Sequence, residues 1–231
     1  MKQKETLLNT PQINGLSIEE VGDEHIGTSH DTPLRPDAFE LDDDLKVELI
    51  EKHFREIMTI MGLDLNDDSL AGTPQRVAKM YVKEIFSGLN PANKPVVKLF
   101  NNTYNYDQML VEKNITFYSN CEHHFVPIIG KAHVAYISSG KVIGLSKINR
   151  IVQYYAKRPQ VQERLTVQIA NELRELLETE DVAVVMDASH LCVSSRGIQD
   201  VNSKTVTSQF FGKFKEDAVR QEFFRYLELD K

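Results

Sequence analysis

The sequence predicts an α+β fold, and three observations carry that reading. Apolar residues recur at helical spacing between residues 42 and 88. β-Branched and aromatic runs separated by turn residues fill 96–145. Beyond residue 146 two further helical stretches precede more strand-like runs. Together these give N-terminal helices, a mainly antiparallel sheet and a helical pair inserted within it.

Residues 1–40 are polar, with scattered Pro, Gly, Asp and Thr and no sustained period, and read as a partly flexible arm. From Asp42 a helix is expected, because Leu45, Val47, Leu49, Ile50, Phe54, Ile57, Met58 and Ile60 recur near a 3.6-residue period. Asp42, Asp43 and Asp44 suit its positive N-terminal end, and Gly62 suits its C-cap. A second helix is expected from Thr73-Pro74, with Thr73 as N-cap and proline at the first helical position. It runs through Val77, Met80, Tyr81, Ile85 and Phe86 to Gly88. These two helices form an N-terminal helical region over 41–95.

The remaining chain, 96–231, is expected to be one domain. Val96 to Phe100, Ile115 to Tyr118 and Ala132 to Ile137 read as strands, and Ser139-Gly140 breaks the chain before Val142-Ile143. Helical spacing returns at 146–157, stops near Pro159 and restarts at 160–178 with Leu165, Ile169, Leu173 and Leu176-Leu177. Asp181 to Asp187 encloses a short apolar strand, Lys204 to Phe214 is a Thr/Val/Phe-rich strand, and Ala218 to Leu229 a last helix.

The 231 residues are 41% hydrophobic and 26% charged, ordinary values for a soluble globular protein. No run approaches the roughly 18 apolar residues that read as a bilayer span, so no membrane partner is expected. Met1 to Glu20 has no apolar h-region, which points to the cytoplasm, where thiols stay reduced. The net charge of −7 argues against a nucleic-acid partner, though local Arg and Lys clusters can still build a pocket for a small anion.

The chain has only two cysteines, and each sits beside histidine. Cys121 opens Cys121-Glu122-His123-His124, and Cys192 closes His190-Leu191-Cys192. Thiolate and imidazole are the ligands a borderline-soft ion such as Zn²⁺ selects. The C-x-x-H spacing lets Cys121 and His124 meet one ion, and Cys192 is the distant third ligand, delivered by strand pairing. Alternation along a strand would put His190 and Cys192 on one face. Three protein ligands leave the open position of a catalytic zinc, with His123 and His190 beside it for proton transfer. Two alternatives remain: a closed site that enlists His123 or His190 as a fourth ligand, and a Cys121–Cys192 disulfide. His25, His30, His53 and His133 show no clustering.

Several blocks resemble the GTP cyclohydrolase I family. They are Cys121-Glu-His-His-Phe125, Gly144-Leu-Ser-Lys-Ile-Asn-Arg150, Arg158-Pro-Gln-Val-Gln-Glu-Arg-Leu-Thr166, and His190-Leu-Cys192 with Arg196-Gly197. Thr32 to Pro36, Thr73 to Tyr81 and Asn202 to Thr207 extend the similarity. The resemblance implies the tunnelling fold, an antiparallel sheet with helices on one side, assembled as a homodecamer with active sites between subunits. It implies hydrolysis of GTP at guanine C8 to 7,8-dihydroneopterin triphosphate and formate, the first step toward folate or tetrahydrobiopterin.

By the same resemblance, zinc is held by Cys121, His124 and Cys192. His190 is the candidate proton donor to N7, and Ser146 and His123 are the candidates for the later proton transfers. Glu163, with Gln162 beside it, accepts the two parallel N–H donors of guanine. Lys147 and Arg150 lie three apart on a helix, and Arg76 and Lys79 repeat that spacing. With Arg196 they form the implied triphosphate clamp. No G-x-x-x-x-G-K-[ST] loop occurs, which argues against P-loop handling of GTP. Two other readings compete: a non-catalytic purine- or pterin-binding relative that keeps zinc for structure, and a related enzyme acting on another purine or pterin.

Overall fold

The computed structural model describes residues 29–229, and the elements below belong to the unit that starts at Asp31. The arm expected over 1–40 lies mostly outside the described residues. Its last stretch is tied down at Asp31, whose carboxylate accepts from Arg158 Nη1 at 3.1 Å.

Helix α1 spans Asp43–Ile60, capped by the Asp42 side chain on the Leu45 N–H at 2.8 Å. Gly62 exits it at φ 80°, the left-handed conformation that glycine adopts without strain. A single turn, α2 (Asp68–Ala71), is capped by Asp67; four residues are too few to show a period. Helix α3 spans Thr73–Lys79, and here the expected cap fails. Gly72 occupies the N-cap, no side chain caps the turn, and Thr73 is already helical.

The helix also does not continue regularly to Gly88. Met80–Ile85 widens into a π-helical turn, followed by a 3₁₀ turn at Ser87–Leu89. The cause is a tertiary contact. Gly88 N–H donates to Lys157 O at 2.9 Å, and a Cβ at Gly88 would lie 2.0 Å from Tyr154 O. Docking this close governs the backbone path in place of the helical period.

Strand β1 (Leu99–Asn101) pairs antiparallel with β4 (Lys141–Ile143) in a small two-stranded sheet. The main sheet contains β2 (Met109–Cys121), β3 (Pro127–Ile137), β5 (Pro159–Gln160), β6 (Val182–His190) and β7 (Thr205–Phe210). Its order is β5-β2-β3-β6-β7, with every pairing antiparallel except the short β2–β5 contact. A bulge interrupts β2 between Glu112 and Ile115, where Asn114 takes φ 62° and donates its N–H to His133 Nδ1 at 3.3 Å.

Helices α4 (Leu145–Ala156) and α5 (Gln162–Leu177) cover one face of this sheet. Phe117, Val134, Tyr136, Val184 and Met186 meet Ile148, Ile151, Leu165, Ile169 and Leu173 there, all 1% exposed or less. Burial of each is worth about 1.5–3 kcal/mol against solvent. The alternate positions Ala135, Ile137, Ala183 and Val185 face the other way. They pack against Phe214 and Phe223, the latter on helix α7 (Asp217–Leu227). The expectation of helices on one side therefore holds for α4 and α5 but not for α7. Strand alternation leaves an apolar stripe on the second face too, and α7 buries it. The observed class is α+β.

Candidate metal centre and active site

The site forms where strands β2 and β6 end next to each other. Ile128 on β3 pairs with His190 on β6, and Pro127 pairs with Asn120 on β2. The loop after Cys121 and the turn after His190 therefore leave the sheet side by side. Cys121 N–H donates to Val126 O at 2.9 Å and Phe125 N–H to Cys121 O at 2.8 Å, closing a tight loop over 121–126. Phe125 completes it at φ 54°, and its ring packs against Phe86 at 5.0 Å and Tyr81 at 6.5 Å. The π turn thus braces the loop, a placement typical of such turns near functional sites.

Cys192 arrives by a route that alternation did not foresee. β6 stops at His190, and Leu191–Ser194 is a single helical turn, α6, so His190 and Cys192 do not share a strand face. Ser194 and Ser195 fold their hydroxyls back onto His190 O and Leu191 O, at 3.3 and 2.6 Å, which favours the turn over a continued strand.

The donor atoms of Cys121, His124 and Cys192 all lie within 4.8 Å of one another. Zinc with Cys and His ligands at about 2.0–2.3 Å in tetrahedral geometry needs donors about 3.5–3.8 Å apart, so this trio lies within about 1 Å of the required spacing. Both cysteines are free of a disulfide. Burial pushes the Cys192 thiol up from its usual range, and the adjacent Cys121 sulfur adds to the rise. A bound cation would reverse that balance, since coordination favours the thiolate. Two sulfurs and one imidazole without a carboxylate form a donor set suited to zinc rather than to magnesium or calcium.

Around the trio, His123 Nδ1 sits 3.5 Å from Cys121 Sγ, and Arg196 Nη1 sits 2.8 Å from His124 Nε2. His190 is half-buried, and its Nε2 lies 2.7 Å from Gln162 Oε1. Gln162 is 1% exposed, and its amide nitrogen donates to Met186 O, Thr205 O and Thr207 Oγ1 at 3.2, 2.9 and 3.1 Å. With the NH₂ end fixed in this way, Oε1 accepts from His190 Nε2–H, so Nδ1 is the atom that takes or gives a proton. Burial lowers the pKa of His190, and the nearby Glu163 carboxylate opposes that shift. Glu163 itself is exposed in the first turn of α5.

The other residues expected in the site sit on other elements. Ser146, Lys147 and Arg150 ride on α4. That helix registers against the far part of β2: Asn149 Nδ2 donates to Glu112 Oε1 at 3.0 Å and Gln153 Nε2 to Thr116 O at 2.6 Å. At about 3.3 Å per residue, and allowing for the bulge, Glu112 is roughly 25 Å along the strand from Cys121. Lys147 Nζ instead donates to Val96 O at 2.9 Å. Arg150 lines a cleft of about 280 Å³ with Ser87, Asn93 and Lys157. Arg76 and Lys79 are exposed on α3, with Arg76 Nη2 turned onto Ser69 O and Thr73 Oγ1 at 3.2 and 3.0 Å.

A family model described as GTP cyclohydrolase I matches residues 50–228. The chain belongs to the GTP cyclohydrolase I family. Within it, the "GTP cyclohydrolase 1" of Flavobacterium johnsoniae is 62% identical over 213 residues, 92% of this chain and 96% of that one. The proteins of the same name from Enterobacter sp. (strain 638) and Salmonella newport are 56% and 54% identical, over 84% and 89% of this chain and 88% and 93% of theirs. Similarity to GTP cyclohydrolase I therefore spans the helical region, the sheet and both halves of the Cys–His–Cys group.

Two residues beside the centre escaped the sequence reading, Glu122 and Arg164. Both lie inside blocks already recognised, Cys121 to Phe125 and Arg158 to Thr166. The legible signal was an arginine in the first turn of a helix two residues after Gln162, on a face that an amphipathic pattern buries.

Proposed function

We propose that this member of the family is a zinc-dependent GTP cyclohydrolase that opens guanine at C8, giving 7,8-dihydroneopterin triphosphate and formate for folate or other pterin synthesis. The convergence of Cys121, His124 and Cys192 within 4.8 Å, beside a histidine clamped by Gln162, carries the reading. Cys121, His124 and Cys192 would hold the metal. When bound, zinc supplies Lewis acidity that makes water a competent nucleophile near neutral pH.

The chain's own residues supply the rest. Gln162 holds His190 in one tautomer, so a proton can pass at Nδ1 to guanine N7 as the ring opens. His123, 3.5 Å from the Cys121 sulfur, is the second proton carrier. Glu163, exposed at the mouth of the site, accepts the paired N–H donors of guanine and selects that base over adenine. Arg196, already at His124, marks the end of the site where negative charge is received.

Ser146, Lys147 and Arg150 act on the same GTP from a neighbouring subunit, and Arg76 and Lys79 join the clamp. The register of helix α4 against Glu112, itself roughly 25 Å along β2 from Cys121, supports this assignment. So does β7, which among the described residues pairs with β6 alone and leaves a second edge that another subunit's sheet can extend. The assembly is then the tunnelling-fold homodecamer, with 41–95 as its helical region and 96–231 as its catalytic domain. No helix among the described residues is long and apolar enough to cross a membrane. The two reduced cysteines suit a cytoplasmic enzyme.

Incubation of the purified protein with GTP, oxidation of the mixture, and parallel assays for neopterin fluorescence and formate test the reading. Equimolar neopterin and formate are expected, and both should vanish in Cys121→Ala and after chelation. Full turnover by metal-stripped protein would refute the zinc assignment.

A further inference from the structure

The Cys121–Phe125 loop contains a buried ion pair that the reaction chemistry does not require. Arg164, in the first turn of α5, has a side chain only 3% exposed and pairs with Glu122, whose side chain is 20% exposed. The guanidinium is oriented on two other sides: Nε donates to Gln160 Oε1 at 2.9 Å and Nη2 to Pro159 O at 3.0 Å. Glu122 N–H in turn donates to Gln160 O at 3.0 Å. Both the backbone and the carboxylate of Glu122 are thus tied to the same short segment, Pro159–Arg164.

Glu122 lies between the first ligand and the histidine pair. The loop closes through two backbone bonds, at Cys121 and Phe125, and the Glu122 N–H adds a third, to Gln160 O. The carboxylate adds a side-chain tie to Arg164 at the residue that separates Cys121 from the histidine pair. Its second oxygen lies 3.9 Å from His123 Nε2, so the pair also reaches the ring that stands against the Cys121 sulfur. On the other side of the centre, Gln162 grips His190, two residues before Cys192. Gln162 and Arg164 are buried while Glu163 between them is exposed. One helical turn therefore holds both ligand-bearing segments and presents Glu163 outward.

We propose that Arg164 is a positioning residue that, through Glu122, holds Cys121 and His124 at the spacing a zinc ion requires. This deepens the metal reading above and rests on it. Outer-shell partners of this kind commonly affect metal affinity by about 10–100-fold. A buried pair is a poor device for stability alone, because desolvation offsets most of the attraction, and apolar replacement of both partners is often neutral. That asymmetry separates positioning from mere folding.

The test compares wild type, Glu122→Gln and the double variant Glu122→Leu with Arg164→Met in the full-length oligomer. Zn²⁺ affinity is measured by competition with a chromophoric chelator, Co²⁺ d–d spectra report coordination geometry, and thermal midpoints report stability. Glu122→Gln is expected to lose about 10–100-fold in Zn²⁺ affinity and to shift the Co²⁺ bands. The double variant should recover the thermal midpoint but not the affinity or the spectrum, and it provides the measurement even where the single variant folds poorly. Wild-type Zn²⁺ affinity in Glu122→Gln, or recovery of affinity together with stability in the double variant, overturns the positioning role alone. A wild-type protein that takes up no Zn²⁺, or keeps its affinity after Cys121→Ala, overturns the metal reading and this inference with it.

Discussion

Replacing Gln162 by alanine removes a side chain that faces four partners while 1% exposed. The change leaves the His190 Nε2–H and the carbonyls of Met186 and Thr205 without this partner. At about 1 kcal/mol for each lost hydrogen bond, more where a group stays buried and unsatisfied, the fold should weaken by about 3–4 kcal/mol. For a domain of this size that is about 6–16 °C in the thermal midpoint. The catalytic effect has a different origin. His190 would be released from a single tautomer and orientation, and positioned acid–base catalysis is worth about 10²–10⁴ in rate. A fall of about 10²–10³ in kcat is expected, equivalent to about 2.7–4 kcal/mol of barrier. Gln162→Glu keeps an acceptor for His190 but turns a second oxygen toward two carbonyls, so it should recover part of kcat and little of the stability. Steady-state kinetics below the unfolding range, with calorimetry in parallel, read both effects. A kcat within twofold of wild type for Gln162→Ala would refute the clamp. A raised KM with unchanged kcat would make Gln162 a guanine contact instead.

Three further outcomes follow from the geometry. Mixing refolded Cys192→Ala and Lys147→Ala subunits, each inactive alone, should restore part of the activity if a site draws on two chains; no recovery in confirmed mixed oligomers would count against that arrangement. Gly88→Ala places a Cβ 2.0 Å from Tyr154 O and should cost about 2–3 kcal/mol, so a midpoint within 1 °C of wild type, measured by calorimetry, would contradict the close approach. His133 is a pH probe: burial and the neighbouring Lys113 and Lys131 lower its pKa, while Asp187 opposes them. Its folded pKa lies below the unfolded value of about 6.5. Its contribution to stability is thus complete above that value and disappears as pH falls through the lower folded pKa. Protonation would also oppose the Asn114 N–H bond to Nδ1. His133→Gln should flatten the loss of stability on acidification below pH 6.5, read by denaturant titration at several pH values, and an unchanged slope would refute the assignment.

Long periodic or β-branched segments were legible in the chain because one face of each must be apolar wherever it packs. Helix α1 with Asp42 and Gly62, the second and third sheet strands, and α5 were all foreseeable on that ground. Segments whose backbone is set by distant contacts were not. The π turn at Met80–Ile85 exists because Gly88 must dock on Lys157; α6 differs, being held by local bonds from Ser194 and Ser195 to carbonyls four residues earlier. No local pattern encodes the Gly88 contact. The second apolar face of the sheet was present in the alternation of Ala135, Ile137, Ala183 and Val185, but its cover, α7, comes from the far end of the chain.

What the sequence determined alone was the chemistry available: two cysteines, each beside histidine, a carboxylate at Glu163, and paired basic residues at helical spacing. Donor identity is a property of residue type, so Cys121, His124 and Cys192 could be nominated before any coordinate was known. Only the tertiary structure decided how they meet. Strand pairing through β3 delivers the ends of β2 and β6 to one place, and a helical turn rather than a strand presents Cys192. It also decided the supporting cast. Gln162 and Arg164 gained their positions from burial against β6, β7 and the metal loop, a consequence of packing that no spacing along the chain can express. The same packing holds Ser146, Lys147 and Arg150 near the opposite end of β2, because α4 lies in a fixed register along that strand.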